Sequence, residues 1–244
     1  MHLNRLNKLV RILKRTPPVL MLPRLNKDLP LHAISIGDAG EPQDDAIFRG
    51  KWHGSYCVGI SNRVAEESPY NPLEHPKNQR PFCPIIWHSG LTRRVANASF
   101  DGEALISVEA SDAGLAVQAH LEEVECGVRQ TLLDRRMTGA GYLERRRPTN
   151  DAMDIVTLDL DCDANDVVTA ARSIVPLRGF SKRRKGDMYD LRELLELRYL
   201  RRINKIKGKT NPLDAGTKRL AWECPTMTRL LHLQHGRYTA DYGS

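Results

Sequence analysis

The chain has 244 residues, 41% of them hydrophobic and 6% aromatic, enough for one sizeable core with extensions. Lys and Arg number 37 against 30 Asp and Glu, a net charge of +7 that points to phosphate backbones as a partner. No apolar run reaches the roughly 18 residues of a membrane span, so no membrane contact is expected. Five scattered cysteines without a Cys-x-x-Cys pair argue against a disulfide framework or zinc site and for reduced thiols in an intracellular protein, cytoplasmic or nuclear.

In chain order, Leu3, Leu6, Val10 and Leu13 share one face of a helix ringed by Arg5, Lys8, Arg11 and Lys14. Pro17-Pro18 ends it, and a linker runs from Pro23 to Pro30. Alternation over Leu31–Asp38 predicts a first strand, and Ser55–Ile60 a second. The polar, proline-rich stretch from Glu67 is a surface excursion before a third strand over Pro81–Ser89, whose Trp87 is expected in the core. A long proline-free stretch from about Ala98 to Leu133, with Leu105, Val108, Leu115 and Val117 apolar, predicts a helix with Glu103 in its first turns. Ile155–Asp163 reads as a fourth strand, followed by a helix that ends before Pro176 and another over about Met188–Arg198. Arg202–Ile206 makes a fifth strand, and a last helix begins near Asp214 and is interrupted at Pro225. Three strands, a helix, then alternating strands and helices give an α/β three-layer fold with a mixed sheet.

Four acids sit where these elements end or begin: Asp38, Glu103, Asp163 and Asp214. Each alone is an ordinary surface residue or helix cap; the ordered set reads as a two-metal nuclease site. In-line hydrolysis of a phosphodiester requires an activated water and a stabilised leaving oxygen, which two magnesium ions about 3.5–4 Å apart supply. Such hard ions want oxygen ligands. Asp161 rivals Asp163 for the third place, and Asp44-Asp45 is a weaker rival to Asp38. A calcium loop at Asp159-x-Asp161-x-Asp163-x-Asn165 fails for want of Gly at Ala164 and Glu at Ala170.

These residues resemble the ribonuclease H region at the C-terminal end of copia-type long-terminal-repeat retrotransposon Pol polyproteins. That family has Asp-Ala-Ser or Asp-Ala-Asp where Asp38-Ala39-Gly40 stands, and Thr-Glu-Ala-Glu-Tyr followed by Ser-Glu-Ala where this chain has Asp101-Gly102-Glu103-Ala104 and then Val108-Glu109-Ala110. Asp163-Ala164-Asn165-Asp166 follows the fourth strand as in the family, and its closing Asn-x-x-Asp-x-x-Thr-Lys is matched at Asn211, Asp214, Thr217 and Lys218. Gly54, Ile86-Trp87-His88-Ser89 and Arg94-Val95-Ala96 also fit the family's second and third strands. Asp163 rather than Asp161 keeps the family spacing to Val167. Ala104 and Gly216 replace bulkier residues, a departure expected to loosen packing around the site without removing a ligand.

The resemblance implies a ribonuclease H-like fold, a five-stranded mixed sheet whose first three strands are antiparallel, flanked by helices. It implies a metal-dependent endonuclease that cuts the RNA strand of RNA–DNA hybrids as part of a reverse transcriptase, with Asp38, Glu103, Asp163 and Asp214 holding two magnesium ions, or manganese. Residues 1–30 would be a helix and linker from the polymerase or connection region, 31–221 the nuclease domain and 222–244 a C-terminal tail. No polymerase, integrase or protease motif is recognisable, so the expectation is an isolated fragment, with a catalytically decayed nucleic-acid-binding remnant as the alternative.

Residues 178–209 carry 12 basic and 4 acidic residues, more excess charge than the whole chain. Around Asp190–Glu196 this is a solvated helix face. Lys182, Arg183, Arg184 and Lys185, together with Lys205, Lys207 and Lys209, are expected in loops that meet an RNA–DNA hybrid or other nucleic acid, and the four-residue run also reads as a nuclear-import address. Recognition would run through shape, phosphates and 2′-hydroxyls.

Overall fold

The computed structural model of the chain describes residues 20–26, 29, 31–40, 51–62, 79–96, 98–126, 156–177, 182–217 and 225–239. The expected N-terminal helix, Asp44-Asp45, Lys218 and Trp222 lie outside them.

Strand β1 (Leu31–Gly40) is central and buried along almost its whole length. It pairs antiparallel with β2 (Lys51–Asn62) on one side and parallel with β5 (Val156–Cys162) on the other. Beyond β2 lies the edge strand β4 (Cys83–Val95), antiparallel, and beyond β5 lies β6 (Arg202–Lys205), parallel. The order β4-β2-β1-β5-β6 is therefore a mixed sheet whose first three strands are antiparallel, as the resemblance implies. A separate ribbon pairs β3 (Gln79–Pro81) with β7 (Arg237–Thr239).

Period-two alternation assigns the two faces. Ala33, Leu158, Leu160 and Cys162 face helix α1 (Ser99–Cys126), α2 (Asn165–Arg172) and α3 (Lys182–Glu196), in one core with Ala104, Ala110, Val167, Met188 and Leu191. On the opposite face Ile34, Ile36 and Cys57 pack with Phe82, Leu213, Leu233 and Tyr238. Leu233 belongs to helix α5 (Pro225–Gln234), Tyr238 to β7, and Leu213 directly precedes the short helix α4 (Asp214–Thr217). Pro225 opens α5 at the position where its missing N–H costs nothing. No helix among the described residues is long and apolar enough to cross a membrane.

Three expectations are corrected. The third strand is split at Phe82, which is fully buried and donates its N–H to Gly236 (2.9 Å), so Pro81 belongs to the ribbon and the sheet strand runs on to Val95. Trp87 is 42% exposed rather than in the core, because β4 is an edge strand with no neighbour beyond it among the described residues. Lys182 to Lys185 form the first turn of α3 rather than a loop. Lys and Arg are good helix formers, and the turn is pinned by the buried Asp187 and Met188 and by an ion pair from Arg184 to Asp101 at the start of α1.

The second face of β5 carries charge into the core. Asp159 meets the Arg201 guanidinium at 2.9 and 2.6 Å and has His32 Nε2 at 3.2 Å. Asp161, fully buried, accepts hydrogen bonds from Tyr238 (2.6 Å) and Asn204 (2.8 Å), with Arg80 at 3.8 Å. Burial pushes Asp161 above the usual carboxylate range despite these partners.

Candidate functional site

The parallel register of β1 and β5 sets Gly37 level with Cys162, so Asp38, the next residue of β1, comes level with Asp163, the first residue beyond β5. Asp214 is the first residue of α4 and Glu103 lies in the second turn of α1. Carboxylate oxygens of Asp38, Asp163 and Asp214 all lie within 4.8 Å of one another; one of Glu103 lies within 4.8 Å of Asp163 and of the Cys162 sulfur. Asp163 belongs to both groups, so the four acids that the sequence singles out form one continuous cluster. Asp38 is 1% exposed and Asp214 9%.

The closing segment holds the cluster in place. Thr217 donates its hydroxyl to Asp38, and Asn211 donates its amide to Asp38 (3.3 Å) and to the Gly37 carbonyl (3.4 Å), while its own oxygen caps the Leu213 N–H (3.1 Å). Sequence reasoning gave Asn211 and Thr217 no role, although their spacing around Asp214 was the signal. Gly216 does not loosen the site as expected. A β-carbon there would sit 2.4 Å from Ser55 Oγ, and Ser89 Oγ donates to the Gly216 carbonyl at 2.8 Å, so α4 presses onto β2 and β4 where only glycine fits. Ala104 is likewise fully buried in the α1 core.

Asp161 is not part of the cluster: its side chain points to the opposite face, where Tyr238, Asn204 and Arg80 hold it. Cys162 is fully buried, and burial, reinforced by the charges of Glu103 and Asp163, pushes its thiol far above the usual range. Besides this thiol the donors of the cluster are carboxylate oxygens, which fit magnesium or manganese.

Two basic residues singled out from sequence have structural partners at the cluster. Lys205, which closes β6 rather than lying in a loop, donates from Nζ to the Asp163 carbonyl, and Arg184 is paired with Asp101 beside Glu103. Lys182, Arg183, Lys207 and Lys209 are exposed and Lys185 is half-buried. Trp52 is 8% exposed, and its indole N–H donates to the Ala96 carbonyl (3.0 Å).

No protein-family model matches the chain, and no curated protein matches it in sequence. Among solved structures it is similar to the N-terminal RNase H domain of Rv2228c from Mycobacterium tuberculosis, determined as a fusion with maltose-binding protein, at 12% identity over 77% of this chain and 91% of that one. The TM-score is 0.35, so the functional reading rests on the chain's own sheet and carboxylates.

Proposed function

We propose that the chain is a metal-dependent endonuclease of ribonuclease H type, which hydrolyses the RNA strand of RNA–DNA hybrids as part of a copia-type retrotransposon reverse transcriptase, with a polymerase region as its partner. The observation that carries this reading is the convergence of four carboxylates from four separate segments on one end of a mixed sheet.

Asp38, Asp163 and Asp214 would hold one divalent ion, and Glu103 with Asp163 a second. When bound, such ions activate the attacking water and stabilise the leaving 3′ oxygen. The chain's own residues supply rigidity: Thr217 and Asn211 fix the Asp38 carboxylate and Lys205 fixes the backbone at Asp163. Among the described residues the Thr217 hydroxyl is engaged by Asp38 and the Cys162 thiol is buried, so the reading is direct attack by water without a covalent intermediate. Lys182, Arg183, Lys185, Lys207 and Lys209 would contact phosphates, while Arg184 and Lys205 act mainly through Asp101 and Asp163.

The test is cleavage of a labelled RNA–DNA hybrid with magnesium or manganese, beside Asp38→Asn and Asp163→Asn. Metal-dependent cutting of the RNA strand that both variants lose is the expected result. A folded protein that binds the hybrid and does not cut it would overturn the nuclease reading in favour of a binding remnant. Removing charge at Lys182, Arg183 and Lys185 should weaken binding and flatten its salt dependence by about one unit of slope for each phosphate no longer neutralised.

A further inference from the structure

On the sheet face opposite α1, a cavity of about 350 Å³ opens between residues 21–23, the start of the ribbon at Arg80 and Pro81, and the turn at His235–Arg237. Its walls are fixed. Met21 N–H donates to the Gln234 carbonyl (2.7 Å), Phe82 N–H donates to the Gly236 carbonyl (2.9 Å), and Gly236 adopts φ +70° with the Pro23 ring so close that a β-carbon would lie 2.5 Å from its Cδ.

The lining combines two chemistries: Arg80, His235 and Arg237 are basic, and Leu22, Pro23 and Pro81 are apolar. Arg80 is partly balanced by Asp161 at 3.8 Å, whereas among the described residues no carboxylate lies within ion-pair distance of His235 or Arg237. The crowding of positive charge is felt at the neighbouring His232, which burial and then the charges of Arg229, Arg237 and His235 hold below the usual histidine range. Gathering like charges costs free energy unless an anion offsets it. The volume is at the small end of the roughly 300–1,000 Å³ of ligand sites, larger than a bare phosphate needs and of a size for one mononucleotide.

We propose that this cavity takes a single unpaired nucleotide, with its phosphate among Arg80, His235 and Arg237 and its base against Leu22, Pro23 and Pro81. The source is either the single-stranded extension of a nucleic acid engaged at the carboxylate cluster or a free nucleotide. The first source rests on the nuclease reading; the cavity's chemistry does not. A basic groove that tracks the backbone is the general solution for single strands; here Leu22, Pro23 and Pro81 offer the base apolar contact in place of an aromatic ring.

The experiment uses the full chain in EDTA, so that nothing is cut. Binding is measured by anisotropy for a blunt RNA–DNA hybrid, for the same hybrid with a short single-stranded extension, and for a short single strand alone; AMP binding is followed by NMR. The variants are Arg237→Ala and His235→Ala, which leave the carboxylate cluster and the Arg80–Asp161 contact untouched. In the wild type, the extension should tighten binding about fivefold or more, AMP should bind, and both variants should lose the gain while keeping blunt-hybrid affinity. If the extension is preferred, the source is the strand; if AMP binds and the extension gives no gain, it is the free nucleotide. Absence of both AMP and single-strand binding overturns the proposal, as does a gain that survives Arg237→Ala, or an acidic peptide that displaces AMP as well as the oligonucleotide does. Failure to cut a hybrid in magnesium would instead sink the nuclease reading and leave AMP and single-strand binding to judge the cavity.

Discussion

Neutralising Asp163 should stabilise the metal-free protein and at the same time abolish its response to divalent ions. The Asp163 carboxylate lies within 4.8 Å of oxygens from Asp38, Asp214 and Glu103. Two unit charges at that separation repel by about 0.9 kcal/mol under water-like screening and about 3.5 kcal/mol at an effective dielectric near 20. Three such repulsions sum to about 2.6 kcal/mol at the water-like limit, and the Lys205 ammonium beside the Asp163 carbonyl, with the other contacts of Asp163, offsets part of the sum. Asp163→Asn should then gain about 1–3 kcal/mol, a rise of roughly 2–10 °C in Tm for a domain of this size. Circular-dichroism melts in EDTA at low ionic strength would read the gain, which 1 M salt should largely erase because the screening length falls to about 3 Å. Magnesium at about a hundred times its Kd should add about 2.7 kcal/mol to the wild type by mass action and little to the variant. A variant that melts at or below the wild type in EDTA, or one that gains as much from metal, would refute the reasoning.

Tyr238→Phe removes a buried hydrogen bond to a carboxylate and should cost about 1.5–3 kcal/mol in urea unfolding with the metal response unchanged. Gly216→Ala drives a β-carbon into Ser55 Oγ and should destabilise by about 1–3 kcal/mol; it should also weaken the metal-induced Tm shift, because α4 carries Asp214. Burial alone would push Asp159 up, but the His32 ring at 3.2 Å and the hydrogen bonds from Arg201 outweigh it and hold the carboxyl well below the usual range. Its folded-state pKa is thus below the unfolded one, so its stabilisation is complete above about pH 4 and is lost as the pH falls further. Urea midpoints measured from pH 5 to 2 should fall less steeply in Asp159→Asn. Asp161, raised by burial, titrates with the opposite sign above about pH 4, which keeps the two apart.

The strands that set the site are legible because alternating apolar residues lead through β1 to Asp38 and through β5 to Asp163 just beyond its end. Parallel pairing with both strands buried demands such runs, and it brings their ends level. The choice between Asp161 and Asp163 needed side-chain alternation to be placed on real faces, since residues two apart in a strand point the same way until the strand ends. Trp87 misled because hydrophobicity does not distinguish an edge strand from a central one. At Lys182–Lys185 the charge run alone does not separate a loop from a helix start; helix propensity favours the continuation into Asp187 and Met188. The Arg237–Thr239 strand, three residues long, carries too little alternation to be seen, and its worth lies in tertiary partners: Tyr238 reaches Asp161 across 77 residues.

That pairing bears on how the protein is made. Asp161 sits in the middle of the sheet, yet Tyr238 is separated from it by 77 residues and Asn204 by 43. At a synthesis rate of about 5–20 residues per second, some 4–15 seconds pass between the appearance of the acid and that of the tyrosine. During that interval β5 either keeps water on its second face or buries a carboxylate without its closest partner. The sheet can pair once Lys205 has emerged, but the second face of β5 stays uncovered at Asp161 until nearly all of the described chain is made, and a ribosome that stalls before Tyr238 would hold a wet or unpartnered carboxylate where the finished molecule holds its core.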